Sequence, residues 1–592
     1  FIWTAIDYIG EPTPYQTKNS YFGQMDTAGF PKDSYYLFRA EWTDVKKDPM
    51  VHVYPYWDFN QGQQVDVRIT SNAPEVELFV YGVSQGRQQI DHEKGTVLQP
   101  SWKVPYVPGS ICAVAYDETG REIARQERHS FGNTDHYVLK ANKTTLRADG
   151  EDMIFLEIAA EDKDGHPVEN ASDYVRVTVD GAGRLVGLDN GDSTDYDAYK
   201  GTVRKLFQGK LLAMIAAKTI PGEIRVTVED AWTATVSMTD ETGAETATAV
   251  VETPDNTAAA GHRTATVTLQ AVEAPIRPGV CATEENREYP PAFVDPGFVP
   301  VRKLEMSAPY MRLPPEKPYV LLHTRIYPME ATDRKLLWSI TDASGIPSPV
   351  AKLEELEDGE SIRITGVSDG SFQVRCMTCN GTTNIKMISQ LDFAVEGMGQ
   401  TFHSPYEPVT GISYVGSFGG DVSRGVENSA GTDKAQPTGL VYEALDFGEF
   451  GSDEITLSIF ANDNDPHRIQ IWKGEPEESG SGTQGTLVGE ITYQKPGIWE
   501  VFQPDTFVLP RRLKGVTKLT IVSEDKIFLK EFHFTRQEKA YARLSALTDG
   551  VTYGDSFVRT GDAVEQIGNN VSLEFTDMNF GEAGTDSIVI CG

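Results

Sequence analysis

Two short stretches carry side chains whose type and spacing suit metal binding or redox chemistry. Residues 187–197 have the sequence Gly-Leu-Asp-Asn-Gly-Asp-Ser-Thr-Asp-Tyr-Asp, with aspartates at Asp189, Asp192, Asp195 and Asp197. Carboxylates at this density suit Ca²⁺, although their spacing is not that of an EF-hand loop. The alternative is a solvated turn, because Asp, Asn and Gly are the usual turn residues.

The second stretch is Cys376-Met377-Thr378-Cys379, which has the spacing of a redox or metal-binding pair. It lacks the second pair or the histidines that complete a zinc site, and it lies in an alternating run typical of a strand. We therefore favour two thiols on the core side of a strand. The five cysteines of the whole chain do not amount to a disulfide scaffold.

Composition narrows the class of protein. A chain of 592 residues is too long for one hydrophobic core, so we expect several domains. The hydrophobic content of 39% and charged content of 24% are typical of soluble globular proteins. A net charge of −34 would repel nucleic acid and is compatible with a neutral ligand. No apolar run reaches the length of a membrane span, and the sequence predicts no cofactor.

The first forty-two residues have a pattern that the rest of the chain lacks. Phe1–Ile6 is an aromatic and β-branched run that predicts a buried strand. Prolines and a glycine then predict a loop, and Asp33-Ser34 is suited to cap a helix. In that helix Tyr35, Phe38 and Trp42 share one apolar face. One strand–loop–helix unit cannot bury both its faces, so we expect a fragment of a longer protein, cut inside a domain.

This unit resembles the end of the catalytic barrel of glycoside hydrolase family 2 β-galactosidases. The resemblance rests on the runs Phe1-Ile2-Trp3-Thr4, Asp7-Tyr8-Ile9-Gly10-Glu11-Pro12-Thr13-Pro14-Tyr15, Tyr21-Phe22-Gly23 and Asp26-Thr27-Ala28-Gly29-Phe30-Pro31-Lys32-Asp33. It implies that residues 1–45 are the last strand, loop and helix of a (β/α)₈ barrel, whose loops build the active-site face.

The resemblance also implies a chemistry. Enzymes of this family are retaining glycosidases with two glutamates, one the acid/base and one the nucleophile. Neither glutamate matches a position of this sequence, so we assign no catalytic residue. Trp3 matches a family tryptophan that forms the wall under the galactosyl ring; the alternative is a tryptophan buried against the barrel. Asp7 and Glu11 lie on the same loop and either bind sugar hydroxyls or brace the loop.

Beyond residue 45 the patterns are those of β-strands. Alternating runs separated by turn signals predict an Ig-like β-sandwich at 46–134 and another at 135–240. The second resembles an accessory domain that follows the barrel in many family 2 enzymes. The alternating run Thr264–Gln270 suits the last strand of a domain, and the prolines of Ala274–Pro300 predict an extended linker, which we place at 241–300. Residues 301–400 resemble a bacterial Ig-like module.

An internal repeat marks the C-terminal part of the chain. Residues 446–455 match residues 579–588 at a constant offset. We predict a jelly-roll, galactose-binding-like module at 405–540 and a truncated second copy at 541–592.

Aromatic side chains of such jelly-roll modules stack on sugar rings when they are exposed. Trp499 and Trp472 are the candidates for sugar contact, with Phe502 as a third. Each of the three is alternatively a core residue.

The predicted fold is therefore mainly all-β, with tandem Ig-like sandwiches and jelly-roll modules after the last βα unit of a barrel. The predicted function is that of the C-terminal part of a retaining β-galactosidase acting on terminal β-D-galactosides, with both catalytic glutamates upstream and no activity in this chain alone. The alternative is a non-catalytic carbohydrate-binding or surface adhesion protein. Only residues 1–42 favour the enzyme over this alternative, because the other residues fit both equally well. By analogy the modules favour an extracellular or cell-surface bacterial protein, and a cytoplasmic location is the alternative.

Overall fold

The computed structural model describes residues 3–12, 17–231, 235–239, 245–250, 263–279, 298–477, 485–547, 549–560, 563–582 and 584–590. The described chain is predominantly β-structure, as the sequence predicted. It forms two compact units, the first of residues 1–340, 352–365 and 371–394 and the second of residues 341–351, 366–370 and 395–592. Two of the five cysteines, Cys281 and Cys591, lie outside the described residues, as do Phe1-Ile2 and Thr13-Pro14-Tyr15 of the runs that carry the resemblance.

The N-terminal segment (residues 3–42) consists of β1 (Tyr8–Ile9), β2 (Asn19–Ser20) and α1 (Asp33–Trp42). Strands β1 and β2 pair antiparallel. The strand predicted at Phe1–Ile6 is absent from the described part of that run, where Ile6 forms only an isolated bridge to Met25. The backbone of this run is hydrogen-bonded to the loop that precedes α1 instead of to a strand: the Ala5 carbonyl accepts the amide hydrogens of both Gln24 and Met25 at 3.0 Å.

Helix α1 confirms the predicted helix but not its predicted cap. Its N-cap residue is Lys32, and no side chain caps the helix, so the capping role of Asp33-Ser34 is wrong. Only Ala40 is buried in the helix, and Trp42 is 71% exposed. The described residues therefore do not bury the apolar face.

Among the residues that the structure describes, no helix has both the length and the apolar character of a membrane span.

The first sandwich has two antiparallel sheets. Its strands are β3 (Val51–Tyr54), β4 (Gln64–Ser71), β5 (Glu75–Val80), β6 (Val83–Gln89), β7 (Ser101–Pro105), β8 (Ser110–Tyr116) and β9 (Glu122–His129). The sheets are ordered β3-β4-β7 and β6-β5-β8-β9. Along β4, Val65, Val67 and Ile69 enter the core while the residues between them are exposed, because side chains of a strand alternate between its faces.

The second sandwich is built the same way from a four-stranded and a five-stranded sheet, ordered β10-β12-β16-β14 and β11-β20-β17-β13-β15. Its strands are β10 (His136–Ala141), β11 (Thr145–Arg147), β12 (Met153–Glu161), β13 (Tyr174–Gly181), β14 (Gly183–Asp189), β15 (Val203–Lys205), β16 (Lys210–Ala217), β17 (Gly222–Asp230) and β20 (Thr264–Val272). All pairs are antiparallel except β11 with β20.

Strand β20 corrects the predicted boundary at 240 and the linker at 241–300. The strand pairs with β17 over its whole length and places Leu269 and Ala271 in the core, because its apolar residues alternate. The hairpin β18 (Thr235–Thr239) and β19 (Glu245–Val250) precedes it. The sandwich thus extends to residue 272, and most of the rest of the predicted linker lies outside the described residues.

The third sandwich has two four-stranded sheets, ordered β21-β23-β26-β25 and β22-β28-β27-β24. Its strands are β21 (Lys303–Ser307), β22 (Arg312–Leu313), β23 (Tyr319–Tyr327), β24 (Leu337–Thr341), β25 (Ala351–Glu355), β26 (Ser361–Gly366), β27 (Gly370–Asn380) and β28 (Thr382–Val395). On β27 the thiol of Cys376 is buried and that of Cys379 is half-buried. Residues three apart on a strand point to opposite faces, so the two thiols do not form a pair. Cys376 lies on the core side as predicted, whereas the prediction of a core-side thiol is wrong for Cys379. Burial raises the pKa of Cys376 to about 12.

Buried ions join the third sandwich to the first. Asp58 lies between Arg302, at 2.9 Å, and Lys303, at 2.5 Å. The Asn60 side chain accepts the Met306 amide hydrogen at 2.7 Å and donates to Ser389 Oγ at 2.7 Å. All of these atoms are within the first unit.

The second unit contains the jelly-roll module. Its strands are β29 (Val409–Thr410), β30 (Gly416–Gly419), β31 (Ser423–Arg424), β32 (Ala430–Gly431), β33 (Thr438–Asp446), β34 (Ser452–Phe460), β35 (His467–Lys473), β36 (Thr486–Tyr493), β37 (Gln503–Leu513), β38 (Val516–Ser523) and β39 (Phe528–Phe534). One sheet is ordered β30-β33-β38-β35-β36, and the other β31-β32-β39-β34-β37 with β29 on β39. Short 3₁₀ turns lie at Gly411–Ser413, Val426–Asn428 and Lys539–Tyr541.

The second copy of the repeat is less regular. It has only short strands among its described residues, β40 (Val551–Tyr553) with β43 (Ser572–Glu574) and β41 (Val558–Arg559) with β42 (Val564–Glu565). Ile588, which matches Ile455 of β34, is 85% exposed and is not part of a strand. In the first copy β34 pairs with β37 and β39, and the 592 residues contain no repeat of those strands.

Candidate functional site

The aromatic row (Trp3, Tyr8 and Glu11) contains two of the three residues that the sequence proposed for substrate binding. The indole Nε1–H of Trp3 donates to the Tyr8 hydroxyl oxygen at 3.2 Å. The Tyr8 hydroxyl donates in turn to Glu11 Oε2. Trp3 is 65% exposed, so most of its indole surface faces solvent. The row therefore presents an aromatic surface, a hydroxyl and a carboxylate side by side.

A sharp turn after β1 creates this row. Gly10 has a φ of +120° and Glu11 a φ of +43°. The first value suits glycine, which has no Cβ, whereas positive φ is uncommon for a glutamate. The turn returns the Glu11 carboxylate to the hydroxyl of Tyr8, three residues earlier. Backbone strain of this kind concentrates at functional sites.

Asp7 has a different position from the row. Its side chain is buried, and its Oδ1 accepts hydrogen bonds from the Gly23 amide and from Lys32 Nζ, both at 2.8 Å. Lys32 also donates to the Tyr21 carbonyl at 3.0 Å. Asp7 thus braces the loop, the second of the two predicted roles, and a direct sugar contact by Asp7 stays a prediction.

Sequence reasoning did not assign roles to Tyr8 and Gly23. Tyr8 links Trp3 to Glu11, and the signal that could have indicated this link is Gly10, since a glycine permits a sharp turn after β1. Gly23 lies against the backbone of residues 6 and 7: a Cβ there would be 2.3 Å from the Asp7 nitrogen. Only glycine fits that contact, and sequence alone does not reveal a close approach between residues sixteen positions apart.

The acidic loop (residues 187–199) contradicts the prediction of a solvated turn. Its four aspartates at 189, 192, 195 and 197 are between 4% and 7% exposed, and Asn190 is fully buried. The carboxylates accept hydrogen bonds within the loop: Asp189 accepts the Gly191 amide at 2.9 Å, and Asp195 accepts the Asn190 side-chain amide at 2.6 Å. In the described residues no group of three or more His, Cys, Asp or Glu side chains is arranged to hold a metal ion.

Cations from the second sandwich balance the charge of this loop. Arg204 is fully buried, and it donates to Asp195 Oδ2 at 3.1 Å and to the Leu188 carbonyl at 2.9 Å. Lys205 pairs with Asp192 at 3.0 Å. Burial alone would raise the pKa of Asp195, but the Arg204 and Lys205 charges hold it below its usual value. The sequence could not show this, because the cations follow the aspartates on a separate strand.

The acidic loop contacts the N-terminal segment at two points. At the first, the Lys18 amide donates to the Ser193 carbonyl at 2.9 Å, and Lys18 Nζ donates to the Asp195 carbonyl. At the second, Thr27 Oγ1 donates to Asp189 Oδ1 at 3.1 Å. Burial and the Arg204 charge lower the pKa of Lys18. The second sandwich thus holds the loop that carries the aromatic row.

Asp26 lies beside the second contact point, where its negative charge is repelled by other carboxylates. Burial raises the pKa of its carboxyl to about 6, and the charges of Asp189 and Asp7 act in the same direction. Its Oδ1 accepts the Phe30 amide at 2.9 Å. A Cβ on Gly191 would be only 2.1 Å from Asp26 Oδ2, so the N-terminal segment and the acidic loop are in close contact here.

Two of the three predicted aromatic candidates of the jelly-roll module, Trp499 and Phe502, pack on the same ring. Trp499 is 70% exposed, and its ring packs edge-on against the buried Phe460 with centroids 5.7 Å apart. Phe502 packs on the same Phe460 ring at 6.1 Å. Trp472 is half-buried on β35, and its indole N–H donates to Gln470 Oε1 at 3.0 Å. Trp499 is therefore the better exposed of the two candidates.

Family models match two parts of the chain. Residues 138–239 match glycoside hydrolase family 2 C-terminal domain 5, which corresponds to most of the second sandwich, including the acidic loop. Residues 62–124 match a domain of unknown function (DUF4982) within the first sandwich.

Two related proteins carry different activities in their names. The chain is 39% identical over 230 residues to beta-galactosidase BoGH2A of Bacteroides ovatus, which covers 38% of this chain and 26% of that protein. It is 32% identical over 243 residues to a putative beta-glucuronidase of Formosa agariphila, which covers 38% of this chain and 22% of that protein. The chain thus spans about a quarter of the length of these curated relatives.

Among solved structures, a beta-glycosidase from Bacteroides vulgatus matches with 34% identity and a TM-score of 0.36, over 38% of this chain and 28% of that chain. The family model over residues 138–239 and the sequence similarity to BoGH2A relate the chain to glycoside hydrolase family 2.

Proposed function

We propose that this chain forms the C-terminal part of a retaining β-galactosidase that hydrolyses terminal β-D-galactosides. In this proposal the N-terminal segment is the last βα unit of the catalytic barrel, and the two catalytic glutamates are supplied by sequence upstream of residue 1. The observation that carries the proposal is the aromatic row, in which Trp3, Tyr8 and Glu11 are hydrogen-bonded to one another on an exposed surface.

The chemistry of the row suits a neutral pyranose. The indole of Trp3 matches the apolar C–H face of galactose, and the Glu11 carboxylate is an acceptor for sugar hydroxyls. The same carboxylate would repel the carboxylate of a glucuronide, as would a net charge of −34. The relative with the higher identity of the two described above is named a beta-galactosidase, which also supports the choice.

Exposed apolar side chains support a barrel around the N-terminal segment. Trp3, Ile9 and Trp42 are between 65% and 71% exposed, although surfaces of this kind are normally covered in a folded domain. The remaining strands and helices of a barrel would cover part of that surface and leave the loop end open to substrate.

The test compares hydrolysis of 4-nitrophenyl β-D-galactoside and 4-nitrophenyl β-D-glucuronide by two proteins. One carries the complete barrel upstream of residue 1, and the other is the 592-residue chain alone. We expect the first to hydrolyse the galactoside and the second to hydrolyse neither, because both glutamates are needed. Trp3→Ala should lower kcat/KM of the first protein by about tenfold to a hundredfold, since it removes a stacking surface.

Tyr81→Ala is the matched control, because Tyr81 is 58% exposed at a turn of the first sandwich and touches no proposed site. Preference for the glucuronide would make the protein a glucuronidase. If neither substrate were hydrolysed by either protein, the non-catalytic alternative of an adhesion or carbohydrate-binding protein would replace the proposal.

A second candidate function is carbohydrate binding by the jelly-roll module, and the exposed Trp499 favours it. The ring of Trp499 is supported by Phe460 from behind, so it can stack on a sugar without rearrangement. We expect lactose or a β-galactan to bind the 592-residue chain and Trp499→Ala to abolish binding. Trp42→Ala, which removes an equally exposed tryptophan on α1, should leave it intact. Equal titration curves for all three proteins would refute this function.

A further inference from the structure

The acidic loop has the properties of a rigid support. Arg204 has no solvent exposure and connects the start of the loop to its second half, since it donates to the Leu188 carbonyl and to Asp195 Oδ2. Asn190 joins Asp195 to the Lys205 carbonyl, at 2.6 and 3.1 Å. A fully buried cation with several fixed acceptors restricts the motion of the groups around it. The loop therefore presents a fixed surface to the N-terminal segment.

Each contact point on this surface leads to one end of the aromatic row. Lys18, bound to Ser193 and Asp195, directly precedes β2. Strand β2 pairs with β1, with Tyr8 opposite Ser20, and the Ser20 amide also donates to the Gly10 carbonyl at 2.9 Å. This route ends beside Tyr8 and Glu11, the polar end of the row.

The other route starts at Thr27 and leads to the tryptophan end. Thr27 is two residues from Met25, whose carbonyl accepts the Asp7 amide at 2.9 Å. The Met25 amide donates to the Ala5 carbonyl at 3.0 Å. Ala5 and Asp7 lie between Trp3 and Tyr8 in the chain, so the backbone under the row is held from the acidic loop through a few hydrogen bonds.

We infer that the acidic loop of the second sandwich positions the aromatic row for substrate, with Thr27 and Lys18 as positioning residues that touch no substrate themselves. This inference rests on the proposed function, in which the row binds the galactosyl ring. It gives the accessory domain a role in the active site, as the support for the substrate loop.

The test uses variants that remove or keep one hydrogen bond. Thr27→Val removes the hydroxyl with little change of shape, and Thr27→Ser keeps it. Lys18→Met removes the ammonium and Lys18→Arg keeps a cationic donor, which provides a second pair if one variant fails to fold. Thr119→Val is the matched control, because Thr119 Oγ1 donates to Asp117 at 2.6 Å in an exposed turn of the first sandwich.

The first readout is amide hydrogen exchange in the 592-residue chain, which requires no activity. We expect exchange at residues 5–10 to accelerate about threefold to tenfold in Thr27→Val and Lys18→Met, as loss of one hydrogen bond predicts. The Ser and Arg variants should restore the slow exchange, and Thr119→Val should not change it. Unchanged exchange at residues 5–10 in both Val and Met variants would overturn the inference, whatever the enzyme does.

The second readout is galactoside hydrolysis by the protein with the complete barrel. A positioning role raises KM about threefold to tenfold with kcat nearly unchanged, because contacts shared by the ground and transition states are weakened. A merely structural role would lower kcat through loss of folded enzyme and leave KM unchanged, which overturns the inference. If the wild-type protein does not hydrolyse the galactoside, the proposed function fails, and the exchange result still decides whether the acidic loop orders the row.

Discussion

Two joints in the first unit hold one module against another, and they differ in how charge is used. At the joint between the first and third sandwiches, one buried carboxylate, Asp58, faces two cations, Arg302 and Lys303. At the joint between the N-terminal segment and the second sandwich, the Asp26 carboxylate faces an acidic loop. Burial, with the charge of Asp189 acting in the same direction, raises the pKa of this carboxyl to about 6.

The difference indicates that the two joints serve different purposes. A carboxylate between two cations is held at any pH where it is ionised, so the first joint acts as a fixed connection between sandwiches. The second joint relies on hydrogen bonds donated by Thr27 and by the amide and ammonium groups of Lys18, and it retains a repulsion between the carboxylates of Asp26 and Asp189. The loop that carries the aromatic row is thus mounted on the joint that is more easily altered.

The largest expected effect is at the fixed joint. Asp58→Ala leaves Arg302 and Lys303, whose side chains are 9% and 11% exposed, without their carboxylate. Removal of one partner from a buried ion pair costs about 3–5 kcal/mol. We expect a calorimetric scan of the 592-residue chain to show the transition of the first and third sandwiches at a lower temperature, by several degrees.

Asp66→Ala is the control for this change, because the pair of Asp66 with Arg68 has the same 2.9 Å separation but is 40% and 48% exposed. An exposed pair contributes about 0–1 kcal/mol. If the two variants lowered the transition equally, the buried joint would not be the fixed connection described here.

The joints also mark the limit of what the sequence could predict. Alternation of apolar residues predicted the β-rich fold, since a period of two follows from strand geometry alone. Helix α1 followed from a period of 3.6 in the same way. These are local patterns, and the residues that produce them are neighbours in the chain.

Contacts between distant residues could not be predicted in this way. The four aspartates of the acidic loop were visible, but their burial depends on Arg204 and on Lys18, 177 residues away from Asp195. Trp3 and Glu11 were predicted from a resemblance, whereas the link through Tyr8 required the turn at Gly10. Strand β20 matches the alternating run Thr264–Gln270, but the prolines that follow this run suggested a linker, so the end of the second sandwich was placed too early.

A pH-dependent effect of intermediate size is expected at the second joint. The pKa of Asp26 is raised to about 6 in the folded chain, against about 3.9 when unfolded. The folded state therefore favours the protonated form, so the contribution of Asp26 to stability is most favourable below pH 4 and is lost as pH rises to 6. At about 1.4 kcal/mol per unit of pKa, the loss approaches 3 kcal/mol above pH 6.

Asp26→Asn should remove this dependence, because the amide oxygen keeps the bond to the Phe30 amide without the charge that Asp189 and Asp7 oppose. Lys18 and Lys32 are the cations nearby, and they are bound to the Asp195 carbonyl and to Asp7. Thermal scans at pH 4, 5, 6 and 7 should show the variant equal to wild type at pH 4 and more stable at pH 7. A constant difference at every pH would contradict the assignment of Asp26.

The smallest expected effect tests how closely the N-terminal segment and the acidic loop approach each other at the same joint. Gly191 has a φ of +75°, and a Cβ there would meet Asp26 Oδ2 at 2.1 Å. Gly191→Ala combines a backbone penalty of about 1–2 kcal/mol with displacement of the Asp26 carboxyl. Gly120→Ala is matched in backbone, with a φ of +79° and no atom within 4 Å of its Cβ.

The loss of stability in Gly191→Ala minus that in Gly120→Ala measures the steric conflict with Asp26. We expect a difference of about 1 kcal/mol, because displacing the carboxyl breaks its hydrogen bond with the Phe30 amide. Asp26→Ala combined with Gly191→Ala should abolish that difference, because the carboxyl that blocks the new methyl group is gone. Additive effects of the two substitutions would mean that Asp26 and Gly191 do not touch in solution. The joint would then be held by Lys18 and Thr27 alone, and its pH dependence would need another carboxylate.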